Sequence, residues 1–190
     1  MKKVLFVSAA LLMAVIGTQA QTDLAKNDSK SEKKEIRKEK KESRITLKKL
    51  EGPQVSYQSK QEFIRDFDNP TNVSWRRTSY FDEASFTSKE GLATTAYFDI
   101  DGQLVGTTSL KTFADIPADA QKRINKEYKD YTVKSVVFFD DNEANETDMI
   151  LYNSQFDDED NYFVALQKDD KTIVVQVTMD GNIGFFTEVH

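Results

Sequence analysis

The chain has 190 residues, no cysteine and a single histidine, the terminal His190, and its 32 Asp and Glu outnumber its 26 Lys and Arg. The lack of cysteine and of any histidine but His190 excludes zinc sites of the His/Cys kind, and a Ser-His-Asp nucleophile would have to recruit a chain end. An acidic chain repels phosphate backbones, so nucleic acid is not an expected partner, and none of the seven glycines forms a phosphate-binding loop.

The first twenty residues read as a secretory signal peptide. Lys2 and Lys3 precede the apolar run Val4–Ile16, and Gly17-Thr18-Gln19-Ala20 ends in a small-x-small pattern. The run is too short for a membrane span, which needs roughly 20 apolar residues. Cleavage after Ala20, with no cysteine to carry a lipid, predicts a periplasmic or secreted protein that keeps no membrane span. Residues 21–50 follow as a charged, partly helical or disordered tether: they carry 11 Lys and Arg against 6 Asp and Glu, and few large apolar side chains beyond Ile36, Ile45 and Leu47. Residues 51–190 invert that balance, with 13 basic against 26 acidic residues.

Within 51–190 the pattern alternates between helix and strand. Ser59-Lys60-Gln61-Glu62 reads as a capping box ahead of a helix with Phe63, Ile64 and Phe67 on one face, and Asn69-Pro70 stops it. Val73–Tyr80, with the only tryptophan, Trp75, reads as a strand, and Ala84–Thr87 as the next. Ala96, Phe98 and Ile100 alternate with Thr95, Tyr97 and Asp99, the period of a strand with one buried face. Asp101-Gly102 is a tight turn, and Gln103–Thr107 runs back. A second helix opens at Asp115-Ile116-Pro117, with Ala120, Ile124 and Tyr128 on its inner face. Strands are then predicted at Thr132–Phe139, Met149–Phe156 and Tyr162–Gln167, separated by the acidic loops Asp140–Asp148 and Asp157–Asn161. The chain closes with a hairpin from Thr172 to Val189 around Asp180-Gly181.

Asp180-Gly181 repeats Asp101-Gly102, Val175 and Val177 repeat Ala96 and Phe98, and Ile183 repeats Leu104. The expected fold is therefore α+β, built of two tandem helix-plus-antiparallel-sheet repeats, about 57–114 and 115–190. The second carries an insertion within 140–161. Gly102 and Gly181 should both need positive φ and lose similar stability on substitution, whereas Gly52 should tolerate a side chain.

Asn72-Val73-Ser74-Trp75, Phe86, the run Ala96–Gly102, Ile116-Pro117, Ile124, Tyr128, Tyr131 and Val133, in that order, resemble the periplasmic PepSY-like domains grouped with the β-lactamase-inhibitor-like fold. The resemblance covers roughly Tyr57 to Val189. It implies a non-enzymatic exported protein without cofactor, whose role is to bind or inhibit another envelope or secreted protein. It carries over no inhibitory residue.

Two sets of residues are candidates for function. Trp75, Tyr97 and Tyr152 occupy strand positions where they either face away from the helices as a partner surface or belong to the core. The alternative is a divalent-cation-responsive module using Asp140, Asp141, Asn142, Glu143 and Glu146 with Asp157, Asp158, Glu159 and Asp160, all hard oxygen ligands for calcium. Neither loop has the central glycine or the spacing of an EF-hand, and the competing expectation is a solvated loop.

Overall fold

The computed structural model describes residues 47–189. The expected signal peptide and nearly all of the expected tether lie outside the described residues. Helix α1 is Tyr57–Asp66, capped by Ser56, whose Oγ accepts the N–H of Ser59 at 3.0 Å. The helix thus starts before the expected capping box. Ser59 cannot act as the cap because its own hydroxyl is buried and donates to Asp82 Oδ2 at 2.9 Å.

Strands β1 (Thr71–Arg77), β2 (Asp82–Thr87), β3 (Ala93–Phe98) and β4 (Leu104–Lys111) follow as an antiparallel meander. A short 3-10 turn at Phe113–Asp115 leads into α2, Ala118–Glu127. Next come β5 (Thr132–Asp141), the small hairpin β6 (Met149–Leu151) and β7 (Ser154–Phe156), then β8 (Asn161–Lys168), β9 (Lys171–Thr178) and β10 (Ile183–Val189). Eight strands make one antiparallel sheet in the order β1-β2-β3-β4-β5-β8-β9-β10, while β6 and β7 pair only with each other.

The expected single strand over Met149–Phe156 is corrected to this hairpin. Tyr152 and Asn153 both take positive φ, 50° and 61°, and reverse the chain in a two-residue turn. The register shifts between Tyr97 and Phe98, so that Leu104 pairs with Phe98 and packs into its cluster. Order reaches back past the expected boundary. Leu47 packs against the core and the Leu50 N–H donates to the Ser79 carbonyl at 2.9 Å.

The core forms on both faces of the sheet. On one face α1 lays Phe63 against Ala84, Phe86, Ala96 and Phe98, and α2 lays Ala120 and Ile124 against Val136, Val164, Val175 and Val177. The residues that alternate with these, among them Tyr97, Phe139, Phe163 and Val174, point to the opposite face and are covered by Met149 and Phe156 of the β6–β7 hairpin.

The Asp-Gly turns seat the helices. Gly102 (φ +75°) lies under the first turn of α1 and Gly181 (φ +78°) near the start of α2, so each turn contacts one of the two helices. Gly52 also has positive φ, +74°, which corrects its expected tolerance of a β-branched side chain.

Candidate functional site: an aromatic cleft beside the β6–β7 hairpin

The β6–β7 hairpin is held down by rings. Phe156 meets Phe139, Phe163 and Phe186 at centroid distances of 5.1, 4.8 and 5.9 Å. Met149 is fully buried beside them. The hairpin thereby shields one part of the sheet and leaves a cleft of about 590 Å³ along its flank. That volume lies within the ~300–1,000 Å³ range of ligand and side-chain pockets. Ile150, Leu151 and Tyr152 come from the hairpin, Tyr80, Phe81 and Tyr97 from the sheet side, and Arg76, Glu83, Ser79 and Asn153 add polar groups.

The polar groups are pre-oriented. Arg76 Nε donates to Glu83 Oε2 at 3.1 Å across the β1–β2 pair, although the arginine side chain stays 74% exposed. Tyr97 is buried, and that burial pushes its phenol up to about 12 against the opposing hydrogen bond with Thr108, 3.0 Å away. Tyr152 is half-buried and raised by burial, against a hydrogen bond with Ser135 that anchors the hairpin tip to β5. Both phenols are therefore neutral near pH 7. Three tyrosines with apolar bodies and polar tips, beside one exposed guanidinium, suit the capture of an amphipathic side chain from a partner.

Of the three sequence candidates, the structure brings Tyr97 and Tyr152 to this cleft and separates Trp75 from it. Trp75 stands opposite Ala84 in the β1–β2 register and so faces α1, edge-on to Phe63 at 5.3 Å and 5.7 Å from Phe98. The expectation that it shares a surface with the tyrosines is corrected for this reason. Sequence reasoning missed Tyr80, Arg76, Glu83 and Asn153. The usable signal was Tyr152-Asn153: an asparagine in the middle of an apolar run marks a turn with positive φ.

The acidic residues gather at one end of the sheet. Asp141, Glu143, Asp158, Asp160 and Asp180 border a shallower depression of about 310 Å³. Burial, and then the charges of Asp158 and Asp160, push the Asp141 carboxyl up to about 6, while its own N–H donates to Asp160 Oδ1 at 2.9 Å. Among the described residues no three acidic or histidine side chains are arranged to hold a metal ion. Asn145 is buried and its Nδ2 donates to Asp99 Oδ2 at 3.0 Å and to the Leu104 carbonyl at 3.2 Å. It therefore ties the acidic loop to the first Asp-Gly hairpin.

A second polar centre fixes α1. Asp82 is fully buried and accepts from Arg77 Nε at 2.6 Å, Arg77 Nη2 at 2.8 Å, Ser56 N–H at 2.9 Å and the Ser59 hydroxyl. Burial alone would raise its carboxyl, but the hydrogen bonds from Arg77, Ser56 and Ser59 together hold it below the usual range.

No protein-family model and no curated protein matches the chain. Solved structures do. A BLIP-like protein from Bacteroides fragilis superposes with TM-score 0.54 at 15% identity over 74% of this chain and 89% of the other. A candidate periplasmic protein from Bacteroides eggerthii gives 0.58 at 14% identity over 71% and 89%. A DUF2874 family protein from Bacteroides uniformis gives 0.56 at 15% identity over 68% and 86%. Among the described residues no helix is long and apolar enough to cross a membrane. At this identity the likeness is one of fold: the chain has the largely antiparallel α+β fold of the BLIP-like and DUF2874 proteins, in line with the resemblance carried by its own residues.

Proposed function

We propose that this is an exported, non-catalytic protein-binding module, inhibitor-like in its mode of action, and that a partner docks at the cleft between the β6–β7 hairpin and β1–β3. The carrying observation is the convergence of Tyr80, Tyr97 and Tyr152 with the exposed Arg76 in one cavity of about 590 Å³. Export is supported by the N-terminal pattern of residues 1–20 and by the candidate periplasmic protein among the structural neighbours. In this reading residues 21–50 connect the leader to the folded domain. The body comprises two copies of one unit, each a helix followed by four strands of the sheet, and the second copy acquired the β6–β7 hairpin by insertion. The element order α1-β1-β2-β3-β4 and α2-β5-β8-β9-β10 supports that view.

The test is capture from the native envelope with matched baits. Tyr152→Asn removes the ring while keeping a residue that tolerates positive φ, and Arg76→Ala removes the exposed cation. A protein retained by the wild type should be lost from both variants, while Arg76→Ala keeps the wild-type melting temperature and Tyr152→Asn, which also gives up the Ser135 hydrogen bond, stays folded with a lower one. Retention by both would show that the cleft is not the docking site.

A further inference from the structure

The chain joins the domain beside the cleft. The Leu50 N–H donates to the carbonyl of Ser79, which lines the cleft, and the Arg77 guanidinium donates to the Glu51 carbonyl at 2.7 Å. Leu47, the first described residue, stands three residues earlier, at most about 11 Å of extended chain from Leu50. It is half-buried against the apolar cluster that includes Tyr80, Tyr97, Ile150 and Tyr152, while Lys48 and Lys49 stay exposed. Whatever precedes Leu47 is thereby attached on the hairpin face of the sheet, within a few residues' reach of the cleft.

One side chain upstream is suited to that cleft. Ile45 and Leu47 are the only large apolar residues that stand two apart within residues 21–50, and the β-branched Thr46 lies between them. Side chains two apart on an extended chain face the same way. A chain that runs back from Leu47 without turning therefore brings Ile45 to the face that Leu47 already touches. Before Ile45 the sequence of residues 37–44, RKEKKESR, holds no apolar side chain, so no other group nearby gains from an aromatic lining.

We propose that residues 44–46 lie back along the cleft and that Ile45 inserts among Tyr80, Tyr97 and Tyr152, a built-in occupant that a partner must displace. This rests on the reading of the cleft as a docking site. Burying one isoleucine gains about what ordering the residues that carry it costs. The segment accordingly comes and goes, and its removal leaves the unfolding midpoint near wild type. A cleft occupied half the time lowers a partner's apparent affinity about twofold.

Methyl NMR of the full chain tests this without a partner. A methyl held over aromatic faces is shifted upfield by their ring currents. The expected result is an upfield Ile45 δ-methyl with nuclear Overhauser contacts to the tyrosine rings of the cleft. Tyr152→Asn should return it toward the position of an isoleucine in an unfolded chain, and in a mixture of labelled and unlabelled copies the contacts should stay within one molecule. An unshifted methyl without contacts overturns the proposal, as does a shift that Tyr152→Asn leaves unchanged. Contacts to the acidic end around Asp158 and Asp160 would show that the lysines of the segment choose its place, and contacts seen only between copies would assign the cleft to a second molecule; either overturns it. None of these results depends on the envelope partner, so capture by the cleft variants judges the docking site separately.

Discussion

Replacing Gly102 with alanine tests the seating of α1 directly. Its φ of +75° costs an L-residue about 1 kcal/mol before any contact is counted. The added Cβ would stand 2.5 Å from Gln58 Cβ and 2.9 Å from the Ser59 nitrogen, and helix backbone cannot yield as a side-chain tip can. Overpacking of this kind adds about 1 to 3 kcal/mol, for a total near 3 kcal/mol out of the roughly 5 to 15 that hold a domain together. At Gly181 the same methyl meets Pro117 Cβ at 3.3 Å and the Ala120 nitrogen only at 3.8 Å, so the expected loss there is nearer 1 to 2 kcal/mol. The equal losses expected from the repeat alone therefore give way to an ordered pair. Urea unfolding followed through the fluorescence of Trp75 measures both, since that indole lies beneath α1 against Phe63. Gly91→Ala isolates the backbone contribution, because Gly91 shares the positive φ with nothing within 4 Å. If Gly102→Ala costs no more than Gly91→Ala, α1 does not rest on the turn and the account of the core fails.

Three further outcomes follow from the polar centres and the N-terminal edge. Asp82→Ala should cost about 3 to 5 kcal/mol, because it leaves the Arg77 guanidinium buried without its partner. The folded carboxyl of Asp82 sits below its unfolded value, so its contribution is complete above about pH 4 and lost as pH falls through the lower folded value, which acid unfolding at fixed urea measures. Asp141 behaves in the opposite sense: its carboxyl is raised to about 6, so the folded state holds a proton the unfolded state has released. Its stabilising effect is therefore present below about pH 4 and lost as pH rises through about 6. Asp141→Asn should accordingly raise stability by about 1 kcal/mol at pH 8, after allowance for solvent screening, and leave it unchanged at pH 4; equal effects at both pH values would refute the cause given. Deleting residues 21–46 should leave the unfolding midpoint near wild type, whereas deleting 21–50 removes the Leu47 packing and the Leu50–Ser79 bond and should cost about 1 to 2 kcal/mol, read in the same denaturation assay.

What was legible in the sequence is what local chemistry decides. The Asp-Gly turns, the proline-led second helix and the strand through Ala96, Tyr97 and Phe98 each rest on neighbouring residues and lie where their patterns placed them, but β3 is buried on both faces rather than one, and Ile100 falls beyond it and is exposed. Parity was not legible for β1. Trp75 has polar and charged neighbours on both sides in sequence, and only its register against Ala84 directs it toward Phe63. The start of α1 was missed for a related reason: Ser56 and Ser59 are both competent caps, and the choice is made by Asp82, which is distant in sequence and claims the Ser59 hydroxyl.

The candidate site was the least legible element because its residues come from three separate stretches of the chain. Tyr80 follows β1, Tyr97 is a sheet residue and Tyr152 sits at the tip of the β6–β7 hairpin, so no spacing along the chain relates them. They meet because Phe156 and Met149 have apolar partners on the sheet, Phe139 and Phe163, that the helices cannot reach from the other face. Burying those rings pins the hairpin across the sheet, and pinning it sets Tyr152 beside Tyr97. The same packing decides what surface is left for recognition. A sheet face open along its whole length would offer a broad, flat docking area. With the hairpin in place, that face offers a walled cavity bordered by the Arg76–Glu83 pair, and the proposed docking of a protruding side chain rests on that geometry.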